Sequence, residues 1–549
     1  MPSTTSVCWK FENRRIHHGR KAQMQVLVVS PPNSNTVIDG SSCTVTNPEE
    51  HTDWSDFPNL GILTLVSALR DVPGVEPVYI DGTVVPWPDV LKYVEDNASD
   101  ILALCVSALT ATYEAGLGLC SAAKTLNSRI VTIFGNDHVT ALTRECLSSQ
   151  SGVIDYAFVG NEVVGSFVNL ITALSVGADI DAQSLPGLSR RDGPHTATTP
   201  QQPEPLYTQI DYTLIDRVFK HSTLYQENFN RRIVPTFARE TGRQVHRGMP
   251  VEIGRGCIKF ARNDACSFCS IQFGDMWRNA VPSAEAAWEV VHAAHRGGYD
   301  YLYLTADELP LTFGRLLRDM EEAPPAWWRS LPEDDRPVMV GYARADGLSN
   351  ERHAAMLRSL GVRQLMVGLD AGTATSLHAM KKPLASMRDV KSAFRADRMF
   401  EHNVQAMRAA KNTGLLLKVG FVIGHLGMDE ALLRENVDSM KTLLEAGAGS
   451  IASLDVEVLS PEPGSLDFNM LLDPGLARAR AEELALALPD RRVHEQRAAK
   501  WRDKDIIDRE QAMADYVESV MPGLTLADLA EARAEVRAHG ARMGITIGG

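Results

Sequence analysis

Basic charge is in deficit along this chain. Lys and Arg number 55 against 69 Asp and Glu, which leaves a formal net charge of −14 over 549 residues. A protein that grips nucleic acid through a basic face needs the opposite balance, so no nucleic-acid partner is expected. Cysteine is scarce as well. Eight residues in a chain of this length make no disulfide framework. No uncharged apolar run reaches the ~18 residues that cross a bilayer, so no membrane partner is expected. The opening MPSTTSVCWKFENRRIHHGRK has no apolar signal core, and a cytoplasmic protein is expected. There is no internal repeat and no long low-complexity tract. No G-x-G-x-x-G follows the first strand candidate, which weakens a dinucleotide reading.

What is present gathers around 251–278, VEIGRGCIKFARNDACSFCSIQFGDMWR. Three of the eight cysteines, Cys257, Cys266 and Cys269, stand here in the spacing C-x8-C-x2-C. Three thiolates can hold three irons of a [4Fe–4S] cluster and leave the fourth iron open to a small chelating ligand. The strand-like VEIGR puts the cysteines on a loop at a strand's C-terminal end, where barrels and open sheets place their chemistry. Two plainer readings compete. A zinc knuckle would want a fourth ligand, and His246 and His292 stand at no recognised spacing. Three unrelated thiols are the other. The remaining five, Cys8, Cys43, Cys105, Cys120 and Cys146, show no ligand spacing and read as reduced, structural or incidental.

The chain before this loop alternates strands and helices. MQVLVVS, PVYIDG, DILALCVSA, RIVTIFGND and IDYAFVGNE are apolar runs of strand length. Helical periodicity fills 59–70, 90–97, 113–126, 140–147 and 163–174. This alternation predicts a doubly wound parallel sheet, whose ligands bind beyond the strand C-termini. The loops there, SPPNSN, DGT, SALTAT, FGNDH and VGNE, are small and polar and suit a large polar ligand. Next, 186–247 reads as a linker, since SLPGLSRRDGPHTATTPQQPEPL is rich in turn formers and has no periodicity. From Arg231 to Arg262 there are seven arginines and one lysine, against Glu240 and Glu252. That local reversal of charge suits an anionic small-molecule substrate, because guanidinium forks match carboxylate, phosphonate or phosphinate oxygens. A solvated basic surface is the plain alternative.

Alternation then resumes. VEIGR, YLYLT, VMVGYA, QLMVGLD, LKVGFVIG and SLDVEVL are six strand candidates, separated by helices at about 283–296, 313–322, 350–360, 402–411 and 430–446. A full eight-stranded barrel would need more chain. The end, 468–549, is Ala/Arg/Glu-rich and helical, read either as a cap over the barrel mouth or as a surface hairpin.

RGC, then CSFC, then an aromatic and WR resemble the cluster loop of radical S-adenosylmethionine (SAM) enzymes of the cobalamin-binding branch. The usual spacing there is C-x3-C-x2-C, so the first arm is longer here. The resemblance implies an α/β protein with a Rossmann-like cobalamin-binding domain (22–185), a linker (186–247), a (βα)6 partial TIM barrel (248–467) and a C-terminal helical region (468–549). It implies a [4Fe–4S] cluster on Cys257, Cys266 and Cys269, with SAM and cobalamin as methylcobalamin. It makes Ser107, Thr110, Gly135, His138, Gly160 and Glu162 candidate corrinoid contacts. His138 lacks the D-x-H-x-x-G setting of a cobalt ligand, so packing or hydrogen bonding is the reading preferred for it. Around SAM, Thr305, Asp307 and Glu308 follow the second strand, though the family's Gly-Gly-Glu is not reproduced, and Arg344 and Asp346 follow the third. GLDAGTATSLHAMKKP resembles the family's GxExG segment, with Asp370 for the usual Glu. GFVIGHLG, containing Gly424, resembles the segment along the adenine.

The activity implied is methyl transfer from methylcobalamin to an unactivated position, after a SAM-derived radical has taken a hydrogen atom. An external flavodoxin- or ferredoxin-like donor would supply electrons. No catalytic acid or base beyond the cluster ligands is identifiable. Within the branch, size, loop spacing and the arginine-rich approach point to phosphinate P-methyltransferases of phosphinothricin/bialaphos-type antibiotic biosynthesis. Their substrate is of the N-acetyldemethylphosphinothricin type. Radical C-methylation of another metabolite, a non-methylating B12 radical SAM enzyme, and a corrinoid-carrier or zinc-stabilised binding protein remain the alternatives.

Overall fold

In the computed structural model, residues 23–33, 37–39, 42–44, 55–193, 195–262, 264–271, 278–384 and 393–548 are described. Cys8, the tip of SPPNSN, and the aromatic and tryptophan of the WR signature lie outside them. So do the side chains of Cys43 and Arg262.

Two sheets carry the architecture. The first has β1 (Met24–Ser30), β2 (Val75–Asp81), β3 (Ile101–Ser107), β4 (Val131–Gly135), β5 (Tyr156–Phe158), β6 (Leu188–Asp192) and β7 (His195–Thr198). Their spatial order is β2-β1-β3-β4-β5-β6-β7. The first five pair in parallel. Their apolar runs are buried because helices cover both faces, as parallel sheets require. The order 2-1-3-4-5 reverses direction between β1 and β3, and that switch point opens a crevice at the strand C-termini.

β6 and β7 fall in the expected linker, and this corrects it. They form an antiparallel hairpin on the sheet's edge, turning at Gly193. The sequence hid it because an edge hairpin with one wet face needs no apolar period, and β7 is largely exposed. The same stretch also holds a 21-residue helix, His221–Thr241.

The second sheet runs β8 (Gly248–Val251), β9 (Tyr301–Leu304), β10 (Val338–Arg344), β11 (Val362–Asp370), β12 (Leu416–Ile423), β13 (Ile451–Val458) and β14 (Thr546–Ile547), neighbours in that order and all parallel. It is an open barrel wall of seven strands rather than the six expected. The seventh comes from the end of the region expected to be helical. Two residues of pairing are too few to leave a sequence pattern. The first strand also lies earlier than VEIGR. Gly254–Gly256 instead pairs with Arg278–Ala280 in a separate ribbon.

The two faces of this wall differ. Leu417, Val419, Phe421 and Ile423 pack outward under helices, each at 1% exposure or less. On the inner face, the helix His221–Thr241 fills the lower half with Phe229 and Phe237, packed on Tyr301 and Val340. Phe57 stacks on Tyr301 and Tyr303 there. The helix therefore closes the barrel's bottom and leaves its upper half to other use.

Candidate functional site: the cleft between the two sheets

The three cysteines sit on the loop that leaves the ribbon. All are free, with Cys266 buried and Cys257 and Cys269 half-buried. The loop is pinned on three sides. On its N-terminal side, Gly256 N–H donates to Asp307 Oδ2 at 2.7 Å, and Ile258 N–H donates to Thr312 Oγ1 at 2.9 Å. Behind Thr312, the buried Glu308 carboxylate accepts from Leu311 N, Thr312 N and Thr312 Oγ1. On a second side, Lys259 is 2% exposed. It donates to Asp264 at 2.9 Å and to the carbonyls of Lys381 at 2.6 Å and Pro383 at 2.9 Å. Ser267 N–H bonds Met380 O at 2.9 Å. On the third side, Asp467 N–H bonds Ser267 O at 3.0 Å.

Arg344, at the end of β10, reaches the thiols. Its Nη1 lies 3.9 Å from Cys266 Sγ, and its fork holds Asp346 at 3.0 and 2.7 Å. Burial opposes a charge on Asp346, but the Arg344 guanidinium holds its carboxyl below the usual range. Burial pushes the Cys257 thiol up to about 11 and Cys269 to about 12. Two thiols raised by burial, and a third with a fixed cation against it, fit a group that brings its own positive charge and replaces the protons. No three His, Cys, Asp or Glu side chains among the described residues converge on one metal ion. A cluster with one thiolate per iron makes no such demand, whereas zinc does.

The other expected SAM residues are at the same mouth but already engaged. Glu308 and one oxygen of Asp307 hold backbone, as above. Asp370, in the left-handed region at φ 60°, is ion-paired with the buried Lys382. Thr305 Oγ1 makes a long 3.4 Å contact with Val251 O. Gly424 turns at φ 100°, under Leu529 and Met521 of the C-terminal helices. Next to it, His425 donates from Nδ1 to Leu426 O and accepts at Nε2 from Ser376. Burial lowers its pKa to about 4.

The loops of the first sheet face this mouth. Arg255 Nη1 donates to Asn161 O at 3.2 Å, and Asn279 Nδ2 donates to Glu162 at 2.9 Å. Asp137 is pushed up to about 6 by burial and by the negative Asp307 across the cleft. The C-terminal ends of both sheets therefore meet, and the cysteine ribbon lies between them. Glu162 belongs to this contact. Gly160 turns at φ 87°, with the Gln201 side-chain amide against it. Ser107 accepts from Asn136 at 3.0 Å, and Gly135 ends β4 beside them.

His138 is buried and both its ring nitrogens are engaged. A carbonyl only accepts, so Nε2–H donates to Asp505 O at 2.8 Å, and Nδ1 accepts from Thr110 Oγ1 at 3.2 Å. Burial holds the ring neutral, with a pKa lowered to about 4. Tyr113 and Gln150 bind the Asp505 carboxylate at 3.2 and 2.8 Å. A C-terminal loop is thus seated on the first sheet, and the other C-terminal helices cover the second.

Lys259, Lys382 and Thr312 escaped sequence reasoning, as did Lys418. Lys259 holds Asp264 and two carbonyls, Lys382 pairs with Asp370, and Thr312 links Ile258 N–H to Glu308, contacts across the fold that no spacing records. Lys418 had a signal, a lone charge inside LLLKVGFVIG. Of the arginine run, Arg243 donates to the carbonyls of Asp334 and Arg336, Arg247 covers Tyr299, and Arg255 pairs with Glu252. Arg231 and Arg232 lie near Asp56.

Residues 53–164 match the B12-binding domain family. The whole chain is similar to solved structures of cobalamin-binding radical SAM proteins. TsrM from Kitasatospora setae, a radical SAM methyltransferase with cobalamin and a [4Fe–4S] cluster bound, is 17% identical. The match covers 94% of this chain and 91% of that one, with a TM-score of 0.63. TsrM with tryptophan substrate and the SAM analog aza-SAM gives 16% identity, 81% and 75% coverage, and a TM-score of 0.57. OxsB, a cobalamin-dependent SAM radical enzyme, gives 14%, 85% and 63%, and 0.57. The chain therefore has their fold, a Rossmann-like B12 domain joined to an open α/β barrel. No curated protein matches the sequence.

Proposed function

We propose that this protein is a cobalamin-dependent radical SAM methyltransferase. The observation that carries the reading is the placement of the three thiols. They stand on a loop pinned between the C-terminal edge of a B12-type sheet and the mouth of an open barrel. When bound, the cluster supplies the electron that cleaves SAM, and cobalamin supplies the methyl group.

The chain's own residues orient and shield. Cys257, Cys266 and Cys269 hold the cluster. Arg344 donates to Cys266 and spreads the charge of that ligand. Asp307, Thr312, Lys259 and Met380 fix the loop's backbone. Ser107, Gly135 and Gly160 edge the cleft where the corrinoid binds, and Thr110, His138 and Glu162 hold that edge in place. Asp370 and Gly424 stand where SAM would lie. An external flavodoxin- or ferredoxin-like protein delivers the electrons, and the setting is the cytoplasm. Among the described residues no helix is long and apolar enough to cross a membrane.

For the methyl acceptor we propose the phosphinate phosphorus of an N-acetyldemethylphosphinothricin-type substrate, in antibiotic biosynthesis. The long first arm of the cysteine loop supports it, as do the cations around the barrel floor. The test is anaerobic reconstitution with iron, sulfide and hydroxocobalamin, followed by reductant, SAM and the phosphinate. About four irons and one corrinoid per chain, 5′-deoxyadenosine, S-adenosylhomocysteine and a P-methylated product are expected. Both SAM products without P-methylation would retain the enzyme class and remove the phosphinate. A protein that takes up no iron would sink the reading as a whole.

A further inference from the structure

The fold does not treat the three cysteines alike. Arg344 gives Nε and Nη2 to Asp346, which leaves Nη1 for the Cys266 sulfur at 3.9 Å. A second buried cation stands at the same height. Register pairs Arg344 with Gly368 of β11, and the Lys382 ammonium lies 3.1 Å from where a Cβ on Gly368 would sit. Lys382 is ion-paired with Asp370 and also faces Cys266 electrostatically. Arg344 acts on Cys257 across space as well, whereas Cys269 faces the negative Asp307. The cysteine loop is therefore polarised, with two cations at Cys266 and a carboxylate at Cys269.

One short segment, 380–383, ties the cations to the loop. Its four backbone carbonyls accept in turn. Met380 O takes Ser267 N–H, next to Cys266, at 2.9 Å. Lys381 O and Pro383 O take the Lys259 ammonium, and Lys382 O takes Arg344 Nη2 at 2.8 Å. Lys381 turns the segment at φ 52°, a region that a residue with a side chain adopts only at a cost. Asp346 and Asp370 neutralise the two cations, so no charge is buried alone. The charge nearest the Cys266 sulfur is still positive, and burial keeps water from screening it.

We propose that Arg344 and Lys382 are positioning residues that set the reduction potential of the cluster through Cys266. This rests on the radical SAM reading of the three thiols and deepens it. One electron from the external flavodoxin- or ferredoxin-like donor adds one negative charge to the cluster and its thiolates. No bond breaks and no proton moves. Fixed positive charge and a hydrogen bond at one sulfur favour the more negative, reduced form.

The test is a redox titration of the full-length protein, reconstituted with iron, sulfide and hydroxocobalamin. Low-temperature electron paramagnetic resonance reads the reduced cluster, and iron is assayed on the same samples. Arg344→Gln with Asp346→Asn removes a cation and its carboxylate together. At the wild-type midpoint its ratio of reduced to oxidised cluster should fall roughly tenfold or more, a shift of about 59 mV to lower potential for one electron. Arg344→Lys keeps the charge and should recover most of that shift. Lys382→Met with Asp370→Asn should move the midpoint the same way and by less. It is an independent reading, because the Lys382 side chain is paired with Asp370 rather than with loop backbone. Either double variant that loads iron and keeps the wild-type midpoint overturns the assignment. So does failure of both double variants to hold any cluster, which would make these residues supports alone. A wild type that takes up no iron would count instead against the radical SAM reading.

Discussion

The two sheets present similar loops to the same cleft and use their polar side chains in opposite ways. On the B12-type sheet, the candidate contacts turn inward on the chain. His138 is held by Asp505 and Thr110, Glu162 by Asn279, and Ser107 by Asn136. On the barrel wall, the thiols stay without protein partners of opposite charge, Cys266 beside Arg344 excepted. A large ligand gripped by backbone needs its walls fixed. A reacting centre needs side chains left over. Partnered residues thus mark the scaffold of the cleft, and unpartnered ones mark what binds.

The largest effect should come from breaking that division at the thiols. Cys257→Ala, Cys266→Ala or Cys269→Ala each removes one of the three thiols proposed to hold the cluster. Each should abolish 5′-deoxyadenosine formation and most of the bound iron, and leave corrinoid uptake intact. Iron assay and the corrinoid absorption spectrum on one sample decide it. Full activity of Cys257→Ala would place that thiol outside the cluster.

A step smaller is Thr312→Val. Thr312 Oγ1 accepts from Ile258, next to Cys257, and donates to the buried Glu308. Its loss leaves a buried N–H and carboxylate short of partners, at a cost of about 1–3 kcal/mol. Iron retention should fall severalfold during gel filtration, and corrinoid affinity should hold. Equal loss of both cofactors would mean that the two sheets are not the independent walls described above.

How much of this was legible in sequence follows from the range of each interaction. The apolar runs of β1, β3 and β11 name their strands because burial on both faces leaves nothing else to read. The cysteines announce themselves by spacing. The hairpin β6–β7 did not, being a polar edge, and the short β14 carried too little pattern. The arginine run could not be sorted in sequence, because charge there says nothing about what is across the fold. Arg243 is answered by the carbonyls of Asp334 and Arg336, and Arg255 by Glu252. Lys418 was readable in principle, as the single charge in a strand otherwise apolar from Leu415 to Ile423, but only the fold puts it between Met366 and Ser453 and within reach of Asp56.

The scaffold side of the comparison has a pH signature. His138 is held neutral by burial, its pKa lowered from 6.5 to about 4. A depressed histidine pKa means the unfolded chain takes up the proton first. Its contribution is therefore present in full above about pH 6.5 and is lost as pH falls towards 4. Between pH 7 and pH 5 the loss is about 2 kcal/mol. Urea midpoints at the two values should fall less for His138→Gln than for the wild type, because His425, also lowered to about 4, titrates in both. An unchanged pH slope in the variant would put the titration elsewhere.

The smallest expected effect separates the two ways the same C-terminal loop is held. Arg144 pairs with Asp503 at 2.6 Å, with both side chains mostly in water. Two residues on, Asp505 is buried under Tyr113, His138 and Gln150. Salt and solvent screen the first pair, so Arg144→Ala should change stability by less than about 0.5 kcal/mol and leave corrinoid affinity where it was. Tyr113→Phe, which removes a buried donor from Asp505, should cost about 1 kcal/mol. If Arg144→Ala proved the costlier, the loop would be held at its rim, and His138 would no longer count as part of a fixed wall.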